Sequence, residues 1–351
     1  MGIPVTYADI ARKAGVSRMT VSLAMRNHPD VSKATAEKIM QIAEEMGYKP
    51  DPEINRLMAY LRSARGARVD SVVAFFDPWP RDREVVDRYH FGRLLAGTQA
   101  RCNQLGFRAE VLWLKEPGMT LRRVNNILYA RGIRGVLIPP LPKGRAHLTL
   151  DWSRFCCVAM DDVMKPGLHR VTADQFGNAM LALRRVRKLH YRRVGFIETR
   201  FLEEKVDHAF SAAFAWHNSQ VKVAERLPPL ILEKFDPNAV FKYVKKHKPD
   251  VLVGMISERD IQRAGLEVPG DVAVASLYTA RTDGSLAGIN PMPETIGSAA
   301  VDLLVGLLLR NETGVPENFK HVVMRGKWTD GTTAPGLASD PGKSAKSRSK
   351  I

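Results

Sequence analysis

Residues 7–27 read YADIARKAGVSRMTVSLAMRN, and this stretch decides the fold at the amino-terminal end of the chain. Thr6 stands three residues before Asp9, a pair typical of a capping box that satisfies free amides at a helix start. Gly15 is suited to end that helix, because glycine adopts the left-handed conformation of a C-cap without strain. Ser17 then fits the N-cap of a second helix. The stretch therefore predicts two short helices joined by a tight turn.

A third helix is expected to begin after Ser32 and to end at Gly47. Pro29 lies in the loop before it, where a helix cannot easily continue. Apolar residues recur along the segment at the spacing of one helical face: Ile39, Ile42, Ala43 and Met46. The pattern indicates a compact three-helix unit with a small core of its own.

The second helix has an inward and an outward side. Val16 and Val21 fall on the inward side, and Ala11 is small where the first two helices would cross. The outward side carries Arg18, Met19, Ser22 and Leu23. Arginine can read guanine through two hydrogen bonds and apolar side chains can contact the thymine methyl group, so this side is suited to base edges in a major groove. The arrangement is typical of a helix-turn-helix DNA reader.

Beyond Ser71 the chain changes to apolar strands that alternate with helical segments. The predicted strands are SVVAFF, FRAEVLWL, GVLI, FCCVAM, RVGFIE, DVLVGMI and VAVASL, with helices near 91–105, 120–131, 174–190 and 294–310. Such alternation favours parallel sheets covered on both faces, here repeated in two halves. The expected fold class is α/β, with an all-α helix-turn-helix headpiece and a two-lobed domain built on parallel sheets.

Composition and charge narrow the function classes. The chain has 351 residues, 45% of them hydrophobic, and a formal net charge of +16, which favours a polyanionic partner. The helix-turn-helix pattern indicates that this partner is double-stranded DNA. No window approaches the roughly 18 to 20 apolar residues that cross a bilayer, and the first residues lack a signal-peptide core. We expect a cytoplasmic, nucleoid-associated protein without a membrane partner.

Residues for catalysis or cofactor binding are sparse. Cys102, Cys156 and Cys157 form neither a disulfide framework nor a metal-ligand spacing, and the sequence has no glycine-rich phosphate loop or nucleophile elbow. Asp161 and Asp162 are adjacent, and neighbouring side chains on a strand point to opposite faces, so they make a poor acid and base couple. We therefore expect no catalytic residue, metal or cofactor, which argues against the alternative of an enzyme on a doubly wound fold.

A resemblance to a known family covers residues 5–50, VTYADIARKAGVSRMTVSLAMRNHPDVSKATAEKIMQIAEEMGYKP. They resemble the headpiece of the lactose/galactose repressor (LacI/GalR-type) family of transcriptional regulators. The resemblance implies that the base-reading residues are Arg18, Met19 and Leu23. It implies backbone-contact or capping roles for Thr6, Ser17, Thr20, Ser22, Arg26 and Thr35.

Two further residues complete the expected DNA-binding set. Tyr48 closes the headpiece motif, and Leu57 matches the leucine that the family wedges into the minor groove from a hinge helix. Packing of Leu57 against its dimer mate is the alternative. At two other positions the chain departs from the family: Leu23 replaces a common arginine or histidine, and Arg26 replaces the usual asparagine. The target sequence of the family therefore cannot be transferred.

The larger domain resembles the family's periplasmic-binding-protein-like region, in which two lobes close on a small molecule, usually a sugar or a nucleobase. VTADQFGNAMLALRRVRKLHYRRVGFI, GLEVPGDVAVASL and RGKWTDGTTAP carry the resemblance. Val206 stands where the family commonly has an arginine, which disfavours a standard pyranose site. Residues at the ends of strands remain as candidates for the effector site: Asp77, Trp79, Asp161, Phe235, Ser257 and Tyr278.

The chain is thus expected to contain four regions: a headpiece at 1–50, a hinge helix and linker at 51–68, an effector-binding and dimerisation domain at 69–335, and a disordered basic tail at 336–351. The expected function is that of a transcriptional regulator, a repressor that binds a palindromic operator as a homodimer under the control of a sugar or another metabolite. A small-molecule sensor without gene regulation and an activator are the alternatives.

Overall fold

The structure is a computed structural model that describes residues 5–25, 30–48, 71–81, 85–142, 147–279 and 283–337. The predicted hinge at 51–68 lies outside the described residues, and so do Arg26, Leu57 and the tail from residue 338 onward. The described parts form a small helical unit and a larger two-lobed α/β domain, which confirms the expected fold class.

The helical unit contains the helices α1 (Tyr7–Ala14), α2 (Arg18–Ala24) and α3 (Lys33–Glu45). The Asp9 carboxylate accepts hydrogen bonds from the Thr6 amide (2.9 Å) and the Thr6 hydroxyl (2.6 Å), and these bonds hold the pKa of Asp9 below its usual value. Gly15 ends α1 with a φ of +69°. The first predicted helix is therefore confirmed at both of its ends.

Serine caps also start the other two headpiece helices. The hydroxyl oxygen of Ser17 accepts the Thr20 amide at 3.0 Å, and that of Ser32 accepts the Thr35 amide at 3.3 Å. The three helices bury a common core that includes Ile10, Val21, Ala24, Ile39 and Ile42. The predicted three-helix unit is confirmed.

The amino-terminal lobe, here the N-lobe, contains a six-stranded sheet with the strand order β11-β5-β4-β3-β1-β2. Its strands are β1 (Val72–Asp77), β2 (Arg108–Trp113), β3 (Gly135–Ile138), β4 (Cys156–Ala159), β5 (His169–Ala173) and β11 (His321–Met324), all in parallel pairing. Its described helices are α4 (Val85–Gln104), α5 (Leu121–Ala130) and α11 (Pro293–Arg310). Apolar strands fill the centre of this sheet because both of its faces are covered.

The carboxy-terminal lobe, here the C-lobe, repeats the pattern in the order β12-β10-β9-β8-β6-β7. Its strands are β6 (Val194–Thr199), β7 (Leu230–Leu232), β8 (Val251–Gly254), β9 (Ala273–Ser276), β10 (Gly288–Asn290) and β12 (Lys327–Thr329). Only β12, among the described strands, pairs antiparallel, against β10. Its described helices are α6 (Gln175–Lys188), α7 (Arg200–Lys205), α8 (Ala209–Gln220), α9 (Pro237–His247) and α10 (Glu258–Arg263).

The described chain passes between the lobes after β5, after β10 and between β11 and β12. The second passage returns α11 to the N-lobe, where it packs closely on α4. Glycine allows this approach: a Cβ atom on Gly97 would lie 2.0 Å from the carbonyl oxygen of Glu294, and one on Gly297 would lie 2.3 Å from that of Leu94. Parallel strands of both lobes have their carboxyl ends at the cleft between the lobes.

Candidate functional site

The headpiece presents the amino-terminal part of α2 to solvent. Arg18 is exposed, and Met19 is 67% exposed although it is apolar. Ser22 and Leu23 are half-buried beside them. Val21 and Ala24, on the opposite side of the same helix, are fully buried, so the orientation of α2 is fixed by its core face. The geometry can therefore present an arginine and a flexible apolar side chain to a groove.

Other members of the expected DNA-binding set have structural contacts. The Thr20 hydroxyl lies 2.8 Å from that of Ser17, and the Thr35 hydroxyl lies 2.8 Å from that of Ser32, so each pair stiffens a helix start. Tyr48 packs against Tyr7 with ring centroids 5.4 Å apart. The serine and threonine pairs lie at the amino-terminal ends of α2 and α3, where backbone amides and hydroxyls favour phosphate groups.

A cavity of about 160 Å³ lies between the two lobes, at the carboxyl ends of their parallel strands. Three of the six predicted effector residues line it: Trp79, Asp161 and Tyr278. Trp79 and Asp161 follow β1 and β4 of the N-lobe, whereas Tyr278 follows β9 of the C-lobe. A ligand held here would touch both lobes, which is the requirement for coupling its binding to their relative position.

Asp77 supports the cavity from behind. Its carboxylate accepts the Trp79 amide at 3.2 Å, while the indole Nε1 of Trp79 donates to the carbonyl oxygen of Pro140 at 2.9 Å. The indole nitrogen is thereby satisfied by the protein. Trp79 therefore offers a fixed apolar ring surface, positioned by a residue that does not itself line the cavity.

An ion pair crosses the cleft between Asp161 and Lys205 of α7. Asp161 also accepts the amides of Leu141 (2.9 Å) and Val163 (3.0 Å), and these hydrogen bonds offset part of the cost of burying its charge. The exposed fraction of the side chain is 12% for Lys205 and 0% for Asp161. The two charges are thus held in a largely dry environment, where their attraction is strong.

A second contact between the lobes joins His90 of α4 to Tyr278. The Nδ1 atom of His90 lies 3.0 Å from the Tyr278 hydroxyl, and the two rings meet edge to face. Burial, assisted by the nearby Arg93, lowers the pKa of His90 to about 4. The imidazole is therefore neutral at pH 7, and its Nδ1 atom can accept the phenolic hydrogen.

A third polar group lies beside the first passage between the lobes. Asp162 accepts Gln175 Nε2 at 3.1 Å, and its carbonyl oxygen accepts a hydrogen bond from the Arg170 guanidinium. Burial raises the pKa of the Asp162 carboxyl. The Nε2 atom of His321 lies 3.8 Å from it and 2.7 Å from the Thr172 hydroxyl. These contacts connect the segment after β4 to the chain where it leaves β5.

The remaining predicted effector residues lie elsewhere. Ser257 starts α10, and its amide and hydroxyl both donate to the Asp260 carboxylate, at 2.8 and 2.6 Å. Phe235 follows the edge strand β7 and packs on the core of the C-lobe. Several polar cavity residues were missed by the sequence prediction: His90, Asp162, Thr172, Gln175 and Lys205. His90 and Lys205 lie within helices and not at strand ends, so the strand-end rule could not find them.

The described residues offer little for metal or thiol chemistry. No group of three or more His, Cys, Asp and Glu side chains among them is arranged to hold a metal ion. Cys102, Cys156 and Cys157 are buried and free, and burial raises the pKa of the first two thiols to about 12 and about 11. No helix within the described ranges is long and apolar enough to span a bilayer.

Two family profiles match the chain. The profile described as bacterial regulatory proteins, lacI family, matches residues 6–51, and that of the periplasmic binding protein-like domain matches residues 183–333. The first range coincides with the helical unit, and the second covers most of the C-lobe together with α11 and β11 of the N-lobe.

Known relatives and a solved structure agree with the profiles. An HTH-type transcriptional regulator of Mycolicibacterium smegmatis is 25% identical over 200 residues, 56% of this chain and 51% of the relative. The HTH-type transcriptional regulator GalS of Salmonella typhimurium is 27% identical over 176 residues, 45% and 47% of the two chains. The chain thus spans about half the length of these relatives.

The crystal structure of the lac repressor dimer bound to operator and the anti-inducer ONPF is similar in fold, with a TM-score of 0.53 and 16% identity over 95% of this chain and 100% of that one.

Proposed function

We propose that the chain is a sequence-specific DNA-binding transcriptional regulator of the LacI type, because the lacI-family profile matches residues 6–51 and the periplasmic binding protein-like profile matches residues 183–333. The observation that carries this proposal is the exposed, positioned amino-terminal part of α2, with Arg18 and Met19 facing outward from a capped three-helix unit. A net charge of +16 supports a polyanionic partner.

The proposed roles of the headpiece residues in DNA binding follow from their side-chain chemistry. Arg18 reads guanine, and Met19 and Leu23 contact apolar base edges. Five residues contact the DNA backbone: Thr6, Ser17, Thr20 and Thr35 at the helix starts, and Ser22 within α2. Tyr48 closes the unit. Two further contacts are proposed on the sequence alone, a backbone contact by Arg26 and a minor-groove wedge by Leu57.

We further propose that two copies of the chain bind a near-palindromic operator, since the symmetry of a target site mirrors that of a dimeric reader. The hinge at 51–68 would connect the headpiece at 1–50 to the effector domain at 69–335. Leu57 of each copy would then enter the minor groove at the centre of the site. A dimer placed near a promoter most simply excludes polymerase, so repression is the proposed outcome.

The proposed effector is a small molecule, a sugar or another metabolite, that occupies the cavity between the lobes. Its binding favours one arrangement of the lobes, because the cavity is lined from both. The resulting change in DNA affinity can be no larger than the difference between the ligand's affinities for the two arrangements. The protein acts by binding, without catalysis, in the cytoplasm and in association with the nucleoid.

Deleting residues 1–62 tests this assignment of roles. The shortened chain should lose specific affinity for promoter fragments that the full chain retains, while circular dichroism should show that its α/β domain is still folded. Full-length protein carrying Arg184→Ala on the exposed surface of the C-lobe is the matched control and should bind as the wild type does. Specific affinity that survives the deletion would overturn the proposal.

A further inference from the structure

The cavity between the lobes has the size of a single ring. Its volume is about 160 Å³, and an apolar cavity of roughly 150 Å³ in a protein accommodates one benzene molecule. A ring with one short substituent therefore fits the space. A sugar and an apolar ring of this size would both fit the volume, so the polarity of the cavity walls determines which of the two is favoured.

The walls are mainly apolar. Side chains from both lobes contribute to them, among them Phe91, Leu94, Met160, Val206, Phe210 and Ile296. Val206 and Phe210 belong to the C-lobe, and the other four belong to the N-lobe. The apolar surface therefore faces the ligand from both sides of the cleft. A sugar hydroxyl placed against such walls would lose its hydrogen bonds to water without replacement. An apolar ring gains free energy from the same burial.

Most polar groups at the cavity wall already have partners within the protein. Trp79 donates its indole hydrogen to Pro140, and Gln175 donates to Asp162. Asp161 accepts two backbone amides in addition to the Lys205 ammonium. Its carboxylate is therefore poorly placed to receive a cationic ligand.

Lys205 is the exception. An ammonium group has three donor hydrogens, and Asp161 is the partner that the described part of the chain provides for it. The Lys205 side chain is 12% exposed and lines the cavity, so its other donor hydrogens are available to a ligand held there. A second cation, the Arg170 guanidinium, interacts electrostatically with Asp161 and Asp162 from behind. An acceptor group on a ligand, above all an anionic one, could accept a further hydrogen bond from the Lys205 ammonium.

We propose that the cavity binds a compact carboxylic acid built on one apolar ring, aromatic or alicyclic. The carboxylate accepts a hydrogen bond from the Lys205 ammonium, and the ring lies against Trp79 and the apolar walls. This inference rests on the proposed function only in treating the cavity as the effector site. It differs from a sugar site in that a single charged contact and an apolar surface supply the affinity.

Calorimetry on the full-length protein tests the ligand class, with benzoate and cyclohexanecarboxylate as the probes and benzamide and D-glucose as the comparisons. We expect at least one of the two acids to bind saturably, with a dissociation constant below about 1 mM. Benzamide, which keeps the ring and removes the charge, should bind roughly tenfold more weakly than benzoate. Binding of glucose in preference to both acids, or of neither acid, would overturn the proposal.

Variants of Lys205 test the charged contact. K205M leaves the buried Asp161 without its counter-ion and so risks misfolding. The double variant K205M/D161N removes both charges and avoids that penalty. In it the preference for benzoate over benzamide should disappear while benzamide binding remains. K246M, at an exposed lysine of α9, should keep the wild-type preference. A preference that survives in the double variant would place the carboxylate elsewhere and refute the assignment.

A parallel DNA measurement separates failure of this inference from failure of the proposed function. Operator affinity is measured with and without saturating benzoate or cyclohexanecarboxylate. Acid binding that leaves DNA affinity unchanged would support the ligand class and count against its role as effector. Specific DNA binding by a protein that binds neither acid would overturn the ligand class and leave the proposed regulator intact.

Discussion

The ammonium group of Lys205 in the C-lobe forms an ion pair with the fully buried carboxylate of Asp161 in the N-lobe. Together with the hydrogen bond between His90 and Tyr278, this pair ties the two lobes to each other across the cavity. Any opening of the cleft must separate these groups and expose Asp161. The arrangement of the lobes in this structure therefore has contacts of its own that stabilise it.

Replacing Lys205 by methionine should lower the free energy of unfolding by about 3 kcal/mol, because it leaves a buried carboxylate without its counter-ion. The backbone amides that Asp161 accepts keep the loss from being larger. Urea denaturation measures the effect. K205M/D161N should recover most of the stability, and K246M should match the wild type. Equal midpoints for K205M and the wild type would contradict a stabilising pair.

The contact between α4 and α11 should be sensitive to a single methyl group. Gly97→Ala places a Cβ atom 2.0 Å from the backbone of Glu294, so the helices must move apart. We expect a loss of about 1–3 kcal/mol or more in thermal or urea denaturation. Gly92→Ala in the same helix meets no atom within 4 Å and is the matched control. A Gly97 variant as stable as the Gly92 variant would rule out this close approach.

Stability should depend on pH through His90. Its pKa is lowered to about 4 in the folded protein, whereas an unfolded histidine titrates near 6.5. As the pH falls from 6.5 toward 4, the unfolded chain takes up a proton that the folded chain does not, so this histidine contributes less stability. The stability difference between wild type and His90→Gln should therefore shrink over that range. A difference that is constant with pH would mean that His90 titrates normally.

Arg18→Ala should weaken operator binding by about 1–3 kcal/mol, with the loss confined to one base position in each half-site, if Arg18 reads guanine. Competition with operators mutated one position at a time measures this loss. Arg12→Ala, at an exposed arginine of α1, serves as the control. An equal loss on all sequences would instead identify Arg18 as a phosphate contact.

Local signals in the sequence predicted much of the fold. The Thr6–Asp9 pair, the Ser17 and Ser32 caps and the glycine at position 15 all act within a few residues, and the structure confirms them. Long apolar strands such as β1 and β8 were also predicted, because burial on both faces leaves a continuous apolar run. Strands without a long apolar run were missed: β5, β7, β10, β11 and β12.

The cavity could be predicted only in part. Strand ends identified Trp79, Asp161 and Tyr278, since parallel strands bring their carboxyl ends to one edge. The partner of Asp161 could not be found in this way, because Lys205 lies 44 residues away on a helix of the other lobe. Ser257 also follows a strand, but it caps α10 and does not line the cavity. Contacts between lobes depend on how the two sheets are placed, and no local pattern encodes that.

In the proposed function, the exposed face of α2 reads a specific DNA sequence. Selection from random duplex DNA by the purified full-length protein, at near-physiological salt, tests it most directly. We expect enrichment of a compact near-palindrome whose half-sites change when Arg18 is replaced. Retained DNA without an enriched sequence, bound in a strongly salt-dependent way, would show contact with phosphates alone and would contradict sequence-specific regulation.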